Sequence, residues 1–145
     1  LWHNRDSAKI DRALKRLIAG VSKKGADEGI VDAAAKAAQA AHCFTPYPTL
    51  KVSEISELLQ TRSDIQAVVY QFRAMAQSIA ITIDSKSLEM APDRQTAAML
   101  LTATAVVVAE GTQDALTRQF QVEWTKTKEG WLIERVISIE GIPPS

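Results

Sequence analysis

The chain has 145 residues, 46% of them hydrophobic, with 17 basic and 17 acidic side chains. That is enough apolar material for one domain with its own core, spanning 1–145, and too much for wholesale disorder. The balanced charge offers no global field to nucleic acid, the single cysteine precludes an internal disulfide or a cysteine-built zinc site, and no apolar run reaches the about 18 residues that a membrane span needs.

The charge is unevenly spread. Residues 1–24 hold Arg5, Lys9, Arg12, Lys15, Arg16, Lys23 and Lys24 against Asp6 and Asp11, so the remainder is acidic. A basic start is either a solvated helix face or a contact for anionic lipid or an acidic partner. The chain opens Leu1-Trp2 without a methionine, and tryptophan is common at a membrane interface. An upstream membrane anchor or removed signal segment is therefore expected, and with it an exported or tethered protein, although basic residues beside an anchor favour the cytoplasmic side.

In chain order, residues 6–21 are predicted as a helix: Ile10, Leu14, Leu17, Ile18 and Val21 form one apolar stripe, with Asp6 or Ser7 as the cap. The alanine-rich stretch 27–42 predicts a second helix whose small side chains permit close approach to another element. Pro46 and Pro48 then forbid a helix and impose an extended edge strand or rim loop around Tyr47. A short helix is expected over 53–60, burying Ile55, Leu58 and Leu59. Thr61-Arg-Ser-Asp64 matches a capping box ahead of a third main helix, 62–77, with Ile65, Val68, Val69, Phe72, Met75 and Ala76 as its stripe.

From Ser78 the period changes to two, with Ile79, Ile81 and Ile83 on one face, and Met90-Ala-Pro-Asp93 makes a turn. Residues 96–109 form a long strand that is apolar in both rows and therefore needs cover on both faces, from helices on one and a partner subunit or another segment on the other. A homodimer through the sheet is one way to supply it. Gly111 ends that strand. In 115–140, Phe120, Val122 and Trp124 alternate with polar residues, Lys126 to Gly130 is a polar turn, and Trp131 to Ile139 alternates again, which is an antiparallel hairpin. Gly141 to Ser145 is a tail.

Three helices followed by long antiparallel strands give an α+β order. On Thr61-Arg-Ser-Asp-Ile65, Phe120-Gln-Val-Glu-Trp124 and Glu129-Gly-Trp-Leu-Ile-Glu-Arg-Val136, the chain resembles the nuclear transport factor 2-like superfamily of cone-shaped, cystatin-like folds. The resemblance implies three N-terminal helices packed into a strongly curved mixed or antiparallel sheet around a cavity. That superfamily includes isomerases, cyclases, dehydratases and transport adaptors, so the fold alone selects no function.

No enzyme motif of the superfamily matches residue by residue, and no catalytic residue is carried over. Tyr47, Tyr70 and Asp84 are the possible substitutes, and at least two of them would have to converge in one apolar cavity for acid–base work of the isomerase or dehydratase kind. Phe120 and Trp124 are expected in the core or lining the pocket. Arg73 and Arg135, each among apolar neighbours, either bind an anionic ligand or pair with a carboxylate. His42 and Cys43 read as a helix end with a buried thiol, and two distant histidines without a carboxylate cluster argue against a metal. The expectation is a non-catalytic domain that binds a small apolar ligand or a protein partner through Tyr47, Tyr70, Arg73, Phe120, Trp124 and Arg135, with no cofactor, no metal and no nucleic acid. The alternative is an enzyme acting on a small hydrophobic substrate.

Overall fold

The structure is a computed structural model that describes residues 2–55 and 57–139, without the side chains of residues 2–4. Leu1, the side chains of Trp2 and His3, and the tail at 141–145 thus lie outside what is described, and the interface reading of Leu1-Trp2 with them. Three helices, α1 (Trp2–Val21), α2 (Ile30–Ala41) and α3 (Arg62–Met75), pack on five strands, β1 (Phe44–Lys51), β2 (Ser78–Met90), β3 (Thr96–Ala109), β4 (Thr112–Thr127) and β5 (Gly130–Ile139). The sheet is open and curled, in the order β1-β5-β4-β3-β2. It is mixed: β1 runs parallel to β5, and every other pair is antiparallel.

The apolar stripe of α1 buries Ile10, Ala13 and Leu14 against the sheet. The alanines of α2 bring that helix against α1, with Ala33, Ala37, Ala40 and Ala41 buried. At the crossing a Cβ on Gly20 would meet Ala40 N at 2.8 Å and Lys36 O at 2.9 Å, so only glycine fits. The second helix begins at Ile30 rather than 27, because Gly29 is extended (φ −73, ψ 162) and Glu28 is turned inward to an arginine. Thr61 caps α3 as its motif predicts, its side chain accepting from Asp64 N at 3.0 Å.

The described residues between 53 and 60 do not make the expected helix. Leu59 pairs its backbone with Leu50 in both directions, at 2.9 and 3.0 Å, which folds the segment back along β1 as a loop. A backbone committed to a bridge cannot also close helical turns. Leu59 is buried as expected, but Leu58 is 51% exposed. Met75 likewise points outward at the end of its helix.

The hairpins obey their turn residues. Glu110 and Gly111 both take positive φ (52 and 78), the geometry that a two-residue β3–β4 loop needs for its twist. In β3 the buried Ala97, Met99 and Leu101 alternate with the exposed Thr96, Ala98 and Leu100, and the row from Thr102 to Ala109 is half-buried throughout. The second face of β3 is thus exposed at Thr96, Ala98 and Leu100 and half-covered beyond them. In β5 a bulge opposite Glu123 and Trp124 breaks the alternation: Trp124 faces Ile133, whereas Glu123 faces Arg135. Arg135 therefore leaves the apolar row in which strict alternation would put it.

Candidate functional site

The strand registers define successive rows across the inner, helix-facing side of the sheet. Met90, Ala97 and Trp124 form one; Leu88, Met99 and Val122 the next; Lys86, Leu101 and Phe120 the third. Beyond the bulge at Asp84 come Ile83, Ala103 and Arg118, then Ile81, Ala105 and Leu116. The first two rows lie under the helices, where Ala97, Met99, Val122 and Trp124 are buried. The last two are only half-covered, and Leu116 is 38% exposed. From the helical side Leu17, Ile18, Val68 and Val69 join the core while remaining partly accessible. The inner face thus passes from a packed core to an apolar trough.

The polar groups around this face are held by specific partners. Asp6, buried near the start of α1, accepts from the Trp131 indole Nε1 at 3.2 Å and lies 3.6 Å from Lys126 Nζ. That indole donor, helped by Lys126, keeps the carboxyl below its ordinary value despite the opposing effect of burial. Trp124 is 1% exposed, and its Nε1 has no hydrogen-bond partner among the described residues. Lys86 pairs with Asp11 of α1, and Arg118 with Glu54 of the loop after β1. Neither pair is predictable from local spacing: Arg118 interrupts an apolar row of its strand, but Lys86 joins the inner face only because of the bulge at Asp84.

The residues singled out from the sequence do not gather at one point. Phe120 and Trp124 share the inner face, the first half-buried and the second in the core. Tyr47 is 81% exposed on the edge strand β1. Tyr70 lines a shallow cleft of about 370 Å³ between α2 and α3, with Ala34, Ala37 and Gln66. Asp84 sits at the bulge of β2, on the opposite sheet edge from Tyr47, and accepts from Thr104 Oγ1 at 2.5 Å. Tyr47, Tyr70 and Asp84 therefore form no acid–base set.

Arg73 is 1% exposed and fully engaged. Its Nε donates to Glu28 Oε2 at 3.2 Å and its Nη2 to Glu28 Oε1, while Nη1 donates to Gly20 O at 2.9 Å and to Ser22 O. Lys23 returns the contact, donating from Nζ to Arg73 O at 2.6 Å and Ala76 O at 2.7 Å. Arg73 thus satisfies carbonyls at and just past the end of α1, and Lys23, which follows that helix, satisfies those at the end of α3. Arg135, on the outer face, pairs with Glu123 at 3.6 Å. Cys43 is buried, and desolvation pushes its thiol up, away from the thiolate that a nucleophile needs. His42 Nδ1 lies 2.8 Å from Ala38 O at the end of α2. No cluster of three or more His, Cys, Asp or Glu side chains that could hold a metal occurs among the described residues, and no helix there is long and apolar enough to cross a membrane.

Known structures share this architecture. A nuclear transport factor 2-like superfamily protein from Salmonella enterica serovar Typhimurium superposes with TM-score 0.74 at 13% identity, covering 99% of each chain. A nuclear transport factor 2-like protein with a cystatin-like fold from Novosphingobium aromaticivorans gives 0.72 at 16% identity, covering 96% of this chain and 85% of that one. Another protein of that organism, provisionally named a scytalone dehydratase, gives 0.76 at 9% identity over 94% of this chain and 84% of its own. No curated protein sequence matches this chain. The SnoaL-like domain model matches residues 9–137, nearly the whole described chain, and the protein belongs to the SnoaL-like domain family, with the fold that these nuclear transport factor 2-like structures share.

Proposed function

We propose that the chain is a non-catalytic binding domain that takes a small apolar ligand on the inner face of its sheet. One observation carries the reading: Ile81, Ile83, Ala103, Ala105 and Leu116 all face the helical layer, yet remain half-covered or exposed. Apolar surface left open inside a concave fold gains free energy when a ligand takes it out of water. Tyr47, Tyr70 and Asp84 lie apart, which speaks against the isomerase- or dehydratase-like alternative built on them, although relatives of the fold carry enzyme names. Titration with the neutral probe N-phenyl-1-naphthylamine tests the proposal. Bound probe should brighten, and Ala105→Trp, which fills the trough, should weaken binding about tenfold. A probe that stays dark, or binds the variant equally well, would exclude the trough as a ligand site.

A second reading concerns the outer face, where Leu100 is 42% exposed beside the exposed Ala98. It favours a homodimer through the sheet. Light scattering should report a dimer that Leu100→Lys converts to monomer; a monomer at high concentration would refute it.

A further inference from the structure

Two features of the inner face are unexpected for a site that takes neutral hydrocarbon. Its boundary rows each contain one cation: Lys86 on β2, level with Leu101, and Arg118 on β4, level with Ala103. They stand on opposite flanks of β3, their backbones about 12 Å apart across two strand spacings and one step of two residues along the strand. Both remain partly exposed, and both pair with carboxylates from outside their own strands, Lys86 with Asp11 of α1 and Arg118 with Glu54 of the loop after β1. Ion pairs with this much solvent access are weak, and their carboxylates exchange readily for another anion. Behind the cations the floor is apolar.

Resting on the reading of this trough as a ligand site, we infer that its ligand is an amphipathic anion, a carboxylate on an apolar chain or ring. The apolar body lies along Ile83, Ala103 and Ala105. The carboxylate takes the place of Asp11 at Lys86 or of Glu54 at Arg118, so that no cation is left unpaired as the trough is covered. A neutral ligand would cover the same surface while burying these pairs further, without giving them a new partner.

The test is competition of octanoate and octan-1-ol against N-phenyl-1-naphthylamine at low and high salt. Octanoate should bind about tenfold more tightly than the alcohol at 25 mM NaCl, and the gap should shrink to about threefold at 250 mM. Lys86→Met and Arg118→Met should each weaken octanoate only about twofold, because either cation can still hold the carboxylate; the double variant should weaken it about tenfold, and all three should leave the alcohol unchanged. Asp11→Asn and Glu54→Gln, which remove the competing carboxylates, should tighten octanoate by about threefold, a sign opposite to any loss of folding. Equal binding of acid and alcohol at both salt concentrations would overturn the anionic preference while leaving the apolar site intact. Failure of the neutral probe to bind the native chain would remove both.

Discussion

Replacing Arg73 with methionine probes the lock between the ends of α1 and α3. The variant keeps the apolar stem but deletes every donor, leaving Gly20 O unpaired in a buried position and Ser22 O in a part-buried one. Each orphaned acceptor costs about 1–3 kcal/mol, and Glu28 can turn to water, so the net loss is about 3 kcal/mol. For a chain of this size that lowers the melting temperature by roughly 6–12 °C. Glu28→Gln should cost less, about 2 kcal/mol, since its amide oxygen still accepts from the guanidinium. The double variant should lose less than the sum of the two, because both changes remove the same contacts. Thermal and urea unfolding monitored by tryptophan fluorescence gives these values. Arg135→Ala is the control: its pair with Glu123 is solvent-exposed, and its loss should stay below about 0.5 kcal/mol. An Arg73→Met protein melting within about 2 °C of the parent would refute the lock.

The packing of α1 gives two further expected outcomes. The Asp6 carboxyl has a folded-state value below its ordinary 3.8, so the stability it confers is fully present above that pH and is lost as pH falls through the lowered value. Asp6→Asn should therefore flatten the acid side of the stability profile, and urea melts between pH 6 and pH 2.5 that run parallel for the two proteins would contradict this. Gly20→Ala forces a methyl group to 2.8 Å from Ala40 N and should cost about 1–3 kcal/mol in a thermal melt; an unchanged melting temperature would mean that the helices separate freely.

Local chemistry was legible where local residues decide the structure. The Thr61 cap, the alanine face of α2 and the β3–β4 and β4–β5 turns are all set by residues within a few positions of one another. The failures come from distant partners. Arg73 meets Glu28 across 45 positions of sequence, and the spacing around Arg73 contains no sign of that carboxylate. Residues 53–60 have a helical apolar pattern, but a backbone bridge to Leu50 overrides it. Arg135 was misplaced by one bulge in β5, since a single extra residue transfers the rest of the strand to the other face. The inner face was half legible. Phe120 and Trp124 were on it as their alternation implied, whereas the flanking role of Lys86 and Arg118 emerged only from the strand register.

The parallel alignment of β1 with β5 has a consequence for how the molecule is assembled. Phe44 lies opposite Ile133, so this seam joins a strand from the first third of the polypeptide to the last one. Closing so long a loop is entropically costly and makes no progress until the C-terminal strand exists, whereas the neighbouring β4–β5 hairpin can zip from its own turn. During synthesis, Phe44 and the rim of its strand must wait unpaired beside already formed helices. That seam is therefore expected to close last, and until it does the open edge of β1 is available for pairing with other chains.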